Sequence, residues 1–203
     1  IPDYDLNLMR PGQNLFQLTA DVLTGLKPVL EEFKPDYAFV HGDTTTSMAS
    51  ALASFYAGTK VCHIEAGLRT YNKLAPFPEE MNRQITGRLT DIHFSPTERA
   101  KENLLSEKAA GIIEVTGNTV IDALLFAVDK LQDYSDDEIK ILERTLDFSK
   151  PLLLVTGHRR ENFGEGFINI CDALLTIAKT NHVEVVYPVH LNPNVQDPVN
   201  SIL

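Results

Sequence analysis

An α/β fold, with parallel strands joined by crossover helices, is predicted for this sequence by three observations. Short β-branched and apolar runs alternate with longer stretches of helical periodicity along its 203 residues. The composition, 43% hydrophobic and 23% charged, is that of an ordinary globular chain and excludes disordered, collagenous and coiled-coil architectures. Strand after strand also ends in a glycine flanked by polar residues, the punctuation of β-α turns.

The elements follow in order. Leu15, Leu18, Val22, Leu26, Val29 and Phe33 recur at spacings of three and four and predict one apolar helical face, which Pro28 is expected to kink or divide. Asp36–His41 reads as a strand and Ser47–Ala57 as a helix; Val61–Glu65, Asp91–Ser95 and Ile112–Thr116 are further strands. Helices are predicted at Thr97–Leu105 and Val120–Leu131, and a polar one at Asp136–Leu146. The polar Asp147–Pro151 turn interrupts the pattern, which restarts with the strand Leu152–Val155, a helix over Phe167–Thr180 and the strand Val183–Tyr187. A domain boundary is therefore placed near Ser149, giving domains 1–148 and 149–203. The second supplies a single β-α-β unit, too little to bury a core alone. The first residue is Ile1 rather than Met, and Val199–Leu203 reads as the start of a helix, so the chain is expected to be a fragment of a longer protein.

Charge and cysteine usage narrow the function. Eighteen Lys and Arg against 28 Asp and Glu give a net charge of −10, the wrong sign for a surface that neutralises nucleic acid or an anionic membrane. Any phosphate-bearing ligand must be held locally. Cys62 and Cys171 form no CxxC pair, so neither a disulfide framework nor a zinc cluster is indicated and a reducing, cytoplasmic compartment fits. No apolar run reaches bilayer length and no signal-peptide layout opens the chain, so a soluble protein is expected.

Four strand ends carry the chemistry: His41-Gly42-Asp43-Thr44, Glu65-Ala66-Gly67-Leu68-Arg69, Thr116-Gly117-Asn118-Thr119 and Thr156-Gly157-His158-Arg159-Arg160. Ligands of open α/β sheets bind at such ends, where glycine lets the backbone approach and helix N-termini offer free N–H groups. Turning and capping alone would also select Gly, Asp, Asn and Thr, but not the Arg and His found at two of these turns. Asp43 could cap the following helix. Glu65 ends an apolar strand, where a partly desolvated carboxylate is suited to moving protons near neutrality. Glu79 and Glu80 follow Pro76-Phe77-Pro78 at a helix start; Arg83 lies four residues beyond Glu79, and the spacing alone favours a helix-terminal Glu79–Arg83 ion pair. Arg69, His158, Arg159 and Arg160 suit a phosphate or a departing diphosphate. His190 lies in the proline-bounded loop Tyr187–Asn194, as a second candidate histidine or a simple turn residue. The chain shows no GxGxxG after a strand, no GxxxxGK[ST], no GxSxG and no metal triad, so neither cofactor nor metal is expected.

Six motifs together resemble the non-hydrolysing UDP-N-acetylglucosamine 2-epimerases: His41–Thr46, His63–Thr70, Pro76–Arg83, Thr116–Ala123, Thr156–Asn162 and Tyr187–Pro193. The resemblance implies two Rossmann-like domains of the glycosyltransferase B type, here most of the N-terminal domain and the start of the C-terminal one. The family's first strand and its later UDP-holding segment have no counterpart in this chain. The implied reaction interconverts UDP-N-acetylglucosamine and UDP-N-acetylmannosamine, by eliminating UDP to 2-acetamidoglucal and re-adding it with a proton on the other face of C2. Such a reaction supplies N-acetylmannosamine units for bacterial surface polysaccharide. The resemblance makes Asp43, Glu65 and Glu79 the catalytic carboxylates and His158 the histidine near the leaving UDP. It suggests that Arg159 and His190 contribute to a second, activating nucleotide-sugar site and implies a homodimer; with Arg69 and Arg160 of the basic cluster, these are the expected substrate-binding residues. A hydrolysing epimerase, a glycosyltransferase of the same fold and an inactive nucleotide-sugar-binding fragment are the rival readings.

Overall fold

A computed structural model describes residues 2–157, 163–180 and 182–203. The chain runs α1 (Leu15–Phe33), β1 (Tyr37–His41), α2 (Thr45–Tyr56), β2 (Lys60–Ile64), α3 (Glu79–Leu89), β3 (Ile92–Ser95), α4 (Glu98–Ser106), β4 (Ile112–Val115), α5 (Thr119–Leu131), α6 (Asp137–Thr145), β5 (Leu152–Leu154), α7 (Glu165–Thr180), β6 (Glu184–Val186) and α8 (Pro193–Ile202). It divides into two compact units, Ile1–Phe126 and Ala127–Leu203, which part within α5, earlier than the change of sheet near Ser149.

The first unit carries a four-stranded sheet in the order β1-β2-β3-β4, and every pairing is parallel. All four strands therefore deliver their carboxyl ends to one edge, which collects the motif-bearing turns. Helix starts are fixed by their own sequence: the side chains of Asn14, Thr44 and Thr97 accept from the backbone N–H of Gln17, Ser47 and Ala100 and begin α1, α2 and α4. The small residues Ala49, Ala51 and Ala53 are buried on α2 and let it pack closely. Ala51 meets Val40 of β1 and Val61 of β2, with Leu89 of α3 packed against the same cluster. Pro28 does not divide the first helix: α1 is one continuous run of 19 residues. Its N–H-less turn is tolerated because Val22 and Leu30, either side of it, hold the same buried face.

The second unit has its own parallel pair, β5-β6, and a core of Phe167, Cys171, Val195 and Val199 from α7 and α8. Val199 to Ile202, read from sequence as a helix start, are the last residues of α8; the start is Pro193, with Asn192 accepting from Asn194 N–H as the cap.

Candidate active site

The turn after β1 is held by four side chains from three elements, α2, β2 and α3. Ser47 Oγ donates to the His41 carbonyl at 2.6 Å, His63 Nε2 to the Gly42 carbonyl at 2.8 Å and Asn82 Nδ2 to the Asp43 carbonyl at 2.9 Å. Arg83 then donates to the Asp43 carboxylate twice, Nε at 2.9 Å and Nη2 at 2.7 Å, both to Oδ2. Asp43 is thus no helix cap; that place belongs to Thr44.

Glu65 lies immediately past β2 with φ +68, a left-handed backbone that residues bearing a Cβ occupy at a cost of about 1–3 kcal/mol. Asn118 Nδ2 donates to Glu65 Oε1 at 3.2 Å, while Asn118 Oδ1 accepts from Val120 N–H at 3.0 Å. One side chain therefore both opens α5 and grips Glu65. The other carboxylate oxygen, Oε2, leans over Gly42, 3.4 Å from where a Cβ would stand on that residue. The structure thus gathers the Asp43 turn and the Glu65 carboxylate about one glycine, itself at φ +71.

Helix α3 completes this wall. Glu79 is its first residue, half-buried, at the end where the helix dipole favours an anion. The expected Glu79–Arg83 ion pair is not formed, because Arg83 turns to Asp43 and, through Nη1 at 3.2 Å, to Glu80. Glu79 stands one turn before Asn82 and Arg83 on the same face, and no hydrogen bond or ion pair occupies its carboxylate among the described residues. Glu80, with 0% exposure, accepts from Thr70 N–H (3.0 Å), Tyr71 N–H (3.1 Å), Gln84 Nε2 (3.0 Å) and Arg83. Burial pushes its carboxyl up, but the bonds from Thr70, Gln84, Tyr71 and Arg83 together outweigh that and hold it below the usual carboxylate range.

Arg69 points elsewhere. Its side chain is 1% exposed and forms a forked pair with Glu107, Nε to Oε1 at 2.8 Å and Nη2 to Oε2 at 3.0 Å, with Nη1 on the Leu68 carbonyl. The structure brings it to α4 and not to the carboxylates. Gly67 explains the close fit: at φ +89, any Cβ there would strike the Ala100 carbonyl of α4.

Beneath the turns, His63 and His93 face each other in register on β2 and β3, both buried. Each donates through Nε2 to a carbonyl, His63 to Gly42 and His93 to Ala110 at 2.9 Å, so each is neutral with Nδ1 bare. Burial lowers His63 to about 4 and also lowers His93. Sequence reading gave no role to His63, His93 or Asn82, named Glu80 and Asn118 only as parts of their turns, and gave Arg83 to Glu79. Only the Thr-Gly-Asn-Thr turn gave a local signal, for Asn118.

His190, in the second unit, accepts from Asn192 N–H through Nδ1 at 3.1 Å, as a turn residue does. His158, Arg159 and Arg160 lie outside the described residues. Among those described, no group of three or more His, Cys, Asp and Glu is placed to hold a metal ion, and no helix is long and apolar enough to cross a membrane.

The chain is similar to known proteins along its whole length. The family model for UDP-N-acetylglucosamine 2-epimerase matches residues 1–203. The UDP-N-acetylglucosamine 2-epimerase of Yersinia pestis is 56% identical over 206 residues, covering 100% of this chain and 55% of that protein, and the Escherichia coli K12 enzyme is 55% identical with the same coverage. The chain thus spans about half the length of the curated relatives it matches. Among solved structures, the UDP-GlcNAc 2-epimerase of Neisseria meningitidis, bound to UDP-GlcNAc, superposes with a TM-score of 0.90 at 47% identity, over 99% of this chain and 55% of that one. The Methanocaldococcus jannaschii enzyme, in complex with UDP-GlcNAc and UDP, gives 0.82 at 31% identity, over 100% and 54%. On the parallel α/β architecture, the carboxylate-bearing turns and a match along its full length, the chain belongs to the UDP-N-acetylglucosamine 2-epimerase family.

Proposed function

We propose that this chain carries the acid–base half of an enzyme that interconverts UDP-N-acetylglucosamine and UDP-N-acetylmannosamine by the non-hydrolysing route, with the functional domain boundary near Ser149 and the protein working as a cytoplasmic homodimer in the supply of surface polysaccharide. The observation that carries this reading is the gathering of Asp43 and Glu65 about Gly42, with Glu79 one helical turn from the side chains that hold Asp43. Carbon 2 has no neighbouring carbonyl, so inversion there proceeds by transient oxidation or by elimination. A cluster of carboxylates suits elimination: one group removes the C2 proton as the C1–O bond to UDP breaks, and another returns a proton to the opposite face as UDP re-adds. His158, Arg159 and Arg160 serve the diphosphate in this reading, and Arg159 and His190 contribute to a second, activating nucleotide-sugar site. Arg69, committed to Glu107, serves as structure. The 203 residues alone bind UDP weakly and turn over no substrate.

Turnover in heavy water tests the route in a full-length context. Deuterium at C2 of the product, with traces of UDP and the glycal and no free sugar, is expected. Release of free N-acetylmannosamine would replace this reading with the hydrolysing one, and a requirement for an acceptor would replace it with glycosyl transfer.

A further inference from the structure

We propose that Arg83 is the positioning residue of Asp43, an inference that rests on the reading of Asp43 as a catalytic carboxylate. Both Nε and Nη2 of Arg83 converge on Asp43 Oδ2, so the guanidinium fixes the rotation of the carboxyl plane and leaves Oδ1 as the oxygen presented to a substrate. Arg83 is itself immobilised, since Nη1 is bonded to Glu80, which is buried and anchored by the Thr70 and Tyr71 amides and by Gln84. The Asp43 main chain is pinned by the same helix through Asn82. A chain of bonds therefore runs from the 70–71 backbone through Glu80 and Arg83 to Asp43, from a fully buried side chain at Glu80 (0% exposure) through Arg83 (14%) to the partly exposed Asp43 (27%). The buried end anchors the exposed one.

The consequence is a distinctive kinetic pattern. Loss of the fork should let the Asp43 carboxylate swing while the substrate-binding groups are untouched, lowering kcat by about 10²-fold with KM little changed, the scale expected when a reacting group is misplaced by an ångström. Because the effect runs through Asp43, it should disappear once Asp43 is disabled.

A double-mutant cycle in a full-length context decides it, using R83A, R83K and D43N. R83K keeps a cation between Asp43 and Glu80 without the fork, and so retains the fold if R83A does not. The expected results are a large kcat loss in R83A and R83K, partial recovery of R83A by added guanidinium but not by ammonium, and no further loss when either change is added to D43N. A folded R83K with wild-type kcat, or a loss that multiplies with that of D43N, would overturn the proposal alone. Wild-type kcat in D43N would overturn the reading of Asp43 and the proposal with it.

Discussion

Glu65 Oε2 stands 3.4 Å from the point a Cβ on Gly42 would occupy, an ordinary van der Waals distance, so the carboxylate that follows β2 lies against the glycine that follows β1. It is the backbone of Gly42, at φ +71, and not the space beside it that favours glycine there.

The first prediction concerns the acids. In a full-length context D43N, E65Q and E79Q should each lower kcat by about 10²–10⁴-fold, the range for general acid–base groups, with circular dichroism and melting temperature little changed. E79Q is the informative member. Its carboxylate has no protein partner among the described residues, so near wild-type kcat would reduce it to a helix-end charge.

Arg69 gives the opposite expectation. R69A removes a buried guanidinium from its forked pair with the half-buried Glu107 and should cost about 1–3 kcal/mol in denaturant titration, while any folded fraction keeps its KM. A stable R69A protein with a raised KM would return Arg69 to the substrate.

Removing the buried acid should also be costly. E80A strips partners from the Thr70 and Tyr71 amides and from Arg83, and a loss of at least about 3 kcal/mol is expected. Glu80→Gln retains two acceptor lone pairs on one oxygen and should lose less. Equal stability of the two variants would contradict the hydrogen-bond account.

The histidines predict a pH dependence. Burial first of all sets His63 near 4 against an ordinary 6.5, so the unfolded chain binds the extra proton between those values. Stability from this group is fully present above pH 6.5 and declines as pH falls towards 4, by about 3 kcal/mol in total; His93 acts in the same direction. Denaturant midpoints measured from pH 7 to 5 should fall in the wild type and fall less in H63Q. Parallel curves would remove His63 from the account.

What the sequence disclosed and what it withheld divide along sequence separation. The β-α turns were legible because a strand, a glycine and a capping hydroxyl lie within a few residues, as at Val40 to Thr45. The partners of the arginines were not. Arg83 reads as the i+4 neighbour of Glu79, yet its carboxylate comes from Asp43, 40 residues earlier, and Arg69 finds Glu107 38 residues later. Of the adjacent Glu79 and Glu80, which one turns inward depends on where Thr70 and Tyr71 offer their amides, and no local pattern encodes that. Pro28 was misjudged in part for the same reason: propensity argued for a break, and the packing of α1 across it prevailed.

The left-handed backbone of Glu65 sets folding and turnover against each other. Glycine would occupy φ +68 without the steric penalty, so E65G should melt at or above the wild-type temperature, at the expense of only one 3.2 Å bond to Asn118, while turnover collapses. A glutamate retained where a cheaper residue folds as well records a demand other than folding. Consensus or ancestral stabilisation of this protein would therefore have to leave position 65 alone, and a library screened on thermostability without a turnover assay would drift towards inactive, better-folded variants at that position.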